Sequence, residues 1–230
     1  MTPAPVAIAL DTDDLAVAAR WAGQVSPHVS TLKVGLELYL RYGSEVVSRV
    51  RAAGGESIFL DLKLHDIPAT VGAAAAAVAG LAPHYLTVHA SGGADMVKAA
   101  VAAAPETKIT AVTVLTSLGE GDLAAVGLAG PARDAARRLA ALAVGAGARA
   151  LVCSAHEVAA IRAEVGPGID LVTPGVRPRG AAGDDQTRVA TPREALAAGA
   201  DLLVVGRPVT RAADPAAAAA ELAASLRGQG

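Results

Sequence analysis

Residues 57–82 read SIFLDLKLHDIPATVGAAAAAVAGLA. Ser57–Leu62 is a short apolar run of the kind found in strands covered on both faces of a parallel sheet. The alanine-rich stretch that follows, Gly72–Ala82, has strong helix propensity. The same alternation extends in both directions. Further apolar runs occur at Val6–Leu10, Thr31–Val34, Tyr85–His89, Ile109–Leu115, Ala150–Cys153, Ile169–Thr173 and Asp201–Val205, separated by helix-like segments such as Pro131–Ala146 and Asp214–Leu226. Asp214 before Pro215 places an N-cap and a proline at the first helical position. Gly54-Gly55 and Gly145 to Gly147 stand where helices should stop ahead of the next strand. Eight strand candidates alternating with about eight helical segments over 230 residues predict an α/β fold, a (β/α)8 TIM barrel, as one domain spanning 1–230. The competing fold is a doubly wound open sheet. It would carry a glycine-rich dinucleotide turn after an early strand, and Leu10-Asp11-Thr12 is not one.

Composition narrows the class. Hydrophobic residues make up 53% and charged residues 18%, which excludes a disordered chain. The formal net charge of -2 argues against a surface built to grip nucleic acid or an anionic membrane. The single cysteine, Cys153, excludes an intrachain disulfide framework and any multi-cysteine metal site. The first apolar run lacks a basic lead and ends at Asp11, so no secretory signal is expected. The mean hydropathy of +0.42 reflects abundant alanine, and no stretch approaches the roughly 20 apolar residues of a membrane span. A soluble, cytoplasmic location is the expectation.

In a barrel of this kind, residues just past the C-terminal strand ends line the active site. Those positions hold Asp11, Lys33, Asp61 with Lys63, His89, Thr116, Ser154, Pro174-Gly175 and Gly206-Arg207. Side chains alternate along a strand, so Asp61 and Lys63 share a face opposite Leu60, Leu62 and Leu64. With the leucines against the helices, the two charges enter the barrel mouth. A buried ion pair of this kind either fixes the strand structurally or serves chemistry. Lys33 ends a neighbouring apolar strand and either meets Asp61 or snorkels to the surface. Asp66, two residues before Pro68, either caps the next helix or extends an alternating array of Lys33, Asp61, Lys63 and Asp66. Thr70 lies one helical turn beyond Asp66, on the expected same face. Two late segments, Thr173-Pro174-Gly175-Val176-Arg177-Pro178 and Val205-Gly206-Arg207-Pro208, follow the seventh and eighth strands, where barrels commonly bind phosphate through backbone N–H groups and arginine. Gln186, in a loop after Gly183-Asp184-Asp185, either contacts ligand or closes that loop. Cys153 reads as a small buried hydrophobe, and His65, His89 and His156 lack metal-ligand spacing.

Taken together, these motifs resemble the orotidine 5'-phosphate decarboxylase family, in its shorter bacterial form. The resemblance rests on Ala9-Leu10-Asp11, Leu32-Lys33-Val34-Gly35, Phe59 to Pro68, Val88-His89-Ala90-Ser91-Gly92-Gly93, Val114-Leu115-Thr116-Ser117, Thr173 to Pro178 and Gly206-Arg207-Pro208-Val209. The Asp-x-Lys-x-x-Asp core alone is shared with related sugar-phosphate lyases. The resemblance implies decarboxylation of orotidine 5'-phosphate to uridine 5'-phosphate in de novo pyrimidine synthesis, without cofactor or metal, by a homodimer. It further implies Lys63 as proton donor to C6 and Asp61 beside the reacting carboxylate, with Asp66 and Thr70 completing the partner's site. Asp11 and Lys33 would contact the ribose, Thr116 (or Ser117) the base, and Gln186 base and phosphate. Gly206, Arg207 and the loop around Arg177 would hold the phosphate. The alternatives are a magnesium-dependent keto-sugar-phosphate decarboxylase or hexulose-phosphate synthase, and a non-catalytic nucleotide-binding barrel.

Overall fold

The computed structural model describes residues 2–177 and 190–227. Eight strands run in chain order: β1 (Ala4–Ala9), β2 (Val29–Gly35), β3 (Ile58–Leu64), β4 (Tyr85–His89), β5 (Lys108–Val112), β6 (Ala150–Val152), β7 (Asp170–Thr173) and β8 (Leu202–Val205). Each pairs in parallel with its sequence neighbour, and β1 closes on β8 through Val6–Leu203, Ala7–Val204 and Ile8–Val205. Closure settles the choice against an open sheet. All eight expected runs are strands.

The helices are α1 (Leu15–Val25), α2 (Leu36–Tyr42), α3 (Ser44–Ala52), α4 (Pro68–Ala79), α5 (Ala94–Ala103), α6 (Glu120–Ala125), α7 (Ala132–Gly145), α8 (Val158–Val165), α9 (Pro192–Ala197), α10 (Arg207–Thr210) and α11 (Pro215–Arg227). The described residues thus hold eleven rather than about eight, because short extra helices occupy loops after β2, β5 and β8. Local chemistry sets their starts. The Asp14 carboxylate accepts from the N–H groups of Ala16 and Val17, and Asp214 accepts from Ala217 N. Among the described residues, no helix is long and apolar enough to cross a membrane.

Alternation along each strand creates two apolar layers. Outward-facing residues such as Val6, Ile8, Ile58, Leu60 and Leu86 join helix residues in the larger core. Inward-facing Ala7, Phe59, Tyr85, Ala150, Val172 and Leu202 fill the barrel itself. Phe59 is the chain's single phenylalanine, and it meets Tyr85 edge-on with ring centroids 5.7 Å apart. These two rings compensate for the small alanines around them.

Two strand ends depart from expectation. β5 stops at Val112 rather than Leu115, and just beyond it both the Thr113 N–H and its hydroxyl donate to the Val152 carbonyl. β3 runs two residues past Leu62, to Leu64, and its pairing with β4 breaks on the way. Phe59 and Leu60 stand opposite Tyr85 and Leu86, but the next partners are Leu64 and Val88. Asp61, Leu62 and Lys63 therefore face one residue, Thr87. Cys153 lies one position beyond β6, fully buried, with its thiol pushed up to about 12 by burial and then by nearby Glu157. It is a packing residue, not a nucleophile.

Candidate active site

The C-terminal ends of the strands open into a cleft of about 590 Å³. Its walls contain Asp11, Lys33, Asp61, Lys63 and Thr116 from the early strands and loops, and Gly175, Arg177, Gly206 and Arg207 from the late ones. Nine residues expected at the site thus share one cavity. Thr116 lines it and Ser117 does not, because the turn after β5 directs Ser117 to solvent. His89 is not on the wall; it stacks on His65 with centroids 5.4 Å apart. Gln186 lies outside the described residues.

The charges form a chain across the cleft floor. Lys33 Nζ is 3.1 Å from Asp11 Oδ1 and 3.4 Å from Asp61 Oδ2, and Lys63 Nζ donates to Asp61 Oδ1 at 2.7 Å. Lys33 and Asp61 are both buried. Burial alone would lower the lysine's pKa, but Asp61 and then Asp11 reverse this and raise it above its ordinary value. Burial likewise opposes the Asp61 charge, and Lys33 and Lys63 together overcome it, so its carboxyl is held below the usual carboxylate range. Lys33 does not snorkel. Gly35 follows it because a Cβ there would come within 3.1 Å of Asp11 Oδ1 and 3.2 Å of Lys33 Nζ.

Two expectations need correction. The alternating array is Asp11–Lys33–Asp61–Lys63, with Asp11 in the place expected for Asp66. Asp66 is exposed in the turn before α4, and its carboxylate accepts from the adjacent Ile67 N at 2.6 Å. It does not cap α4, whose N-cap is Ile67 without a side-chain bond. Because Asp66 precedes the helix, it does not share a helical face with Thr70. Thr70 is also exposed, and neither residue lines this chain's cleft.

Further residues at the site were not foreseen. Trp21, Glu37 and Arg211 extend the cleft wall. Thr87, fully buried on β4, donates to Asp61 Oδ1 at 3.0 Å and accepts from Lys63 N at 2.7 Å. The available signal was alternation: Thr87 lies two residues beyond inward-facing Tyr85 and so on the same face of β4.

A family model described as "Orotidine 5'-phosphate decarboxylase / HUMPS family" matches residues 4–222. The chain belongs to this family. A protein of Thermobifida fusca named orotidine 5'-phosphate decarboxylase is 71% identical over 227 residues, covering 99% of this chain and 97% of the relative. A protein of the same name from Anaeromyxobacter sp. (strain K) is 59% identical, covering 96% of this chain and 97% of its own length. Among solved structures, an orotidine 5'-phosphate decarboxylase from Lactobacillus acidophilus superimposes with a TM-score of 0.84 at 35% identity, covering 98% of this chain and all of that one. Family membership and the cleft thus rest on separate observations, one on whole-chain similarity and the other on side-chain geometry.

Proposed function

We propose that this chain, as one domain, decarboxylates orotidine 5'-phosphate to uridine 5'-phosphate, with Lys63 delivering the proton to C6. The observation that carries the mechanism is the Lys63 ammonium 2.7 Å from Asp61 in a mouth that also contains the Gly175/Arg177 and Gly206/Arg207 loops. The similarity to named decarboxylases over nearly the full chain supports the substrate and the reaction.

Loss of CO2 from C6 leaves an electron pair in the plane of the pyrimidine ring, where the π system cannot delocalise it. A site for this reaction needs a fixed positive charge at C6 and a proton to place there. Lys63 supplies both, and Asp61 aims it. Lys33 keeps Asp61 ionised and takes a ribose hydroxyl together with Asp11. Thr116 reads the base. Arg207, Arg177 and the glycine backbones bind the phosphate, with Gln186 joining base to phosphate.

Repulsion between Asp61 and the substrate carboxylate is too weak to drive the step. Two like charges about 4 Å apart at an effective dielectric near 20 repel by about 4 kcal/mol, whereas the largest enzymatic accelerations need roughly 20 kcal/mol. Stabilisation of the carbanion by Lys63, with phosphate binding energy used to hold the reacting ring in place, supplies the larger share.

The active form is a homodimer in the cytoplasm, with Asp66 and Thr70 of each chain reaching the other's cleft. Their exposure in the isolated chain supports this, as do the exposed apolar side chains of adjacent Ile67 (66%) and, on α2, Leu40 (78%). The magnesium-lyase reading is disfavoured by Lys33, a cation seated between Asp11 and Asp61 where a divalent ion would need carboxylates free. Direct absorbance assay of orotidine 5'-phosphate loss, with and without EDTA, tests the function. Turnover unaffected by chelation is expected; no loss of substrate rejects the activity, and loss of turnover with EDTA rejects the metal-free mechanism.

A further inference from the structure

We propose that Thr87 is a positioning residue for the decarboxylation, holding the backbone and the side chain of Lys63 in one hydrogen-bonded ring. This rests on the reading of Lys63 as proton donor. Lys63 has φ +48°, one of two non-glycine residues with positive φ among those described. The left-handed region costs a residue with a Cβ roughly 1–2 kcal/mol, and it persists only where surroundings impose it. At Lys63 the surroundings are the broken register between β3 and β4, where three residues face one. Ladder bonding across this gap is interrupted, and the Thr87 side chain takes the Lys63 N–H instead.

The ring closes through a single carboxylate oxygen. Lys63 N donates to Thr87 Oγ1, whose hydroxyl donates to Asp61 Oδ1, the same atom that accepts from Lys63 Nζ. A threonine hydroxyl has one proton to give and lone pairs to receive, so both its capacities are committed here. The two ends of Lys63, its amide and its ammonium, are referenced to one buried point on the adjacent strand. Without the hydroxyl, the Lys63 N–H loses its partner, Asp61 Oδ1 loses a donor, and the strained turn is free to relax, carrying the ammonium away from C6. Thr87 itself is fully buried beside this ring and does not line the cleft.

The test compares Thr87→Val, which keeps shape and removes the hydroxyl, with Thr87→Ser, which keeps the hydroxyl. Misplacement of a reacting group by about 1 Å can slow a step roughly 100-fold, so Thr87→Val is expected to lower kcat by about 10- to 100-fold. Uridine 5'-phosphate affinity should stay within about threefold, because phosphate and ribose contacts are untouched, and Thr87→Ser should restore kcat to within about threefold. A Thr87→Val kcat within about threefold of the parent overturns the proposal, as does an equal fall in kcat and nucleotide affinity that serine fails to restore. If the valine variant does not fold, Thr87→Cys takes its place. It weakens both hydrogen bonds at similar volume, a kcat between those of the serine variant and zero is expected, and a kcat equal to the parent's overturns the proposal. Lys63→Ala is assayed in parallel. If it retains turnover, the reading of Lys63 fails; if it loses turnover while Thr87→Val does not, only the role of Thr87 fails.

Discussion

Strand β4 sends hydroxyls to opposite ends of the barrel from positions two residues apart. At the floor, Tyr85 donates to Asp170 Oδ2 at 2.8 Å, and Lys108 pairs with the same oxygen. Toward the mouth, Thr87 donates to Asp61 Oδ1, which also accepts from Lys63. Each end thus has a carboxylate shared by a hydroxyl and a lysine. The floor pair lies over an aromatic ring, with Lys108 Nζ 5.6 Å from the Tyr85 centroid. The mouth pair continues through Lys33 to Asp11, borders a cleft, and includes a residue with left-handed backbone. Similar ionic parts therefore hold strands together at one end and, where strain and an open cavity are added, are poised for chemistry at the other.

The largest effect expected from breaking this contrast is at Lys63. Lys63→Ala should reduce decarboxylation by roughly 10⁴-fold or more, while thermal unfolding shifts little because Lys33 still pairs with Asp61. Steady-state kinetics and a melting curve on the same sample check both halves. Next, mixing inactive Lys63→Ala and Asp66→Asn subunits should restore a fraction of parental activity, since one of the two shared sites then has both native residues. Absence of recovery in verified heterodimers would return Asp66 to its own chain.

The floor should answer in the opposite way. Asp170→Asn leaves Lys108 without its anion and should lower unfolding free energy by about 1–2 kcal/mol, with kcat within about twofold of the parent. A large loss of kcat would erase the distinction between the ends. The smallest effect concerns acid. The Asp61 carboxyl is held below its ordinary value near 3.8, so its contribution to stability is whole above that value and lost as pH falls through the folded-state value. Denaturation curves from pH 5 downward should be less steep in Asp61→Asn than in the parent.

The strands were legible because they depend on pattern alone. Eight apolar runs with alanine-rich helices between them permit few architectures, and alternation correctly put Asp61 and Lys63 on one face. Distances within the mouth were less accessible. Alternation tells which side a residue occupies but not how far a strand bulges, so the broken register at Asp61–Lys63 and the bond from Thr87 were invisible. The array reading of Asp66 within its own chain failed for a related reason: Pro68 correctly marked the first turn of α4, but the turn before it leaves the Asp66 carboxylate exposed beside Ile67 N rather than in the charge chain. Asp11, distant in sequence, took that place because β1 and β2 lie side by side, with Ala9 opposite Lys33.

The irregularity in β3 adds two residues relative to β4, and the parity of that number has a consequence for variation. Phe59 and Asp61 remain inside and Leu60 and Leu64 outside because an even increment returns the pleat to phase. A single insertion or deletion between Leu60 and Leu64 would reverse every later position, sending leucines into the cleft and charge into the helical layer. Loop-length libraries at this site should therefore yield folded members only in steps of two.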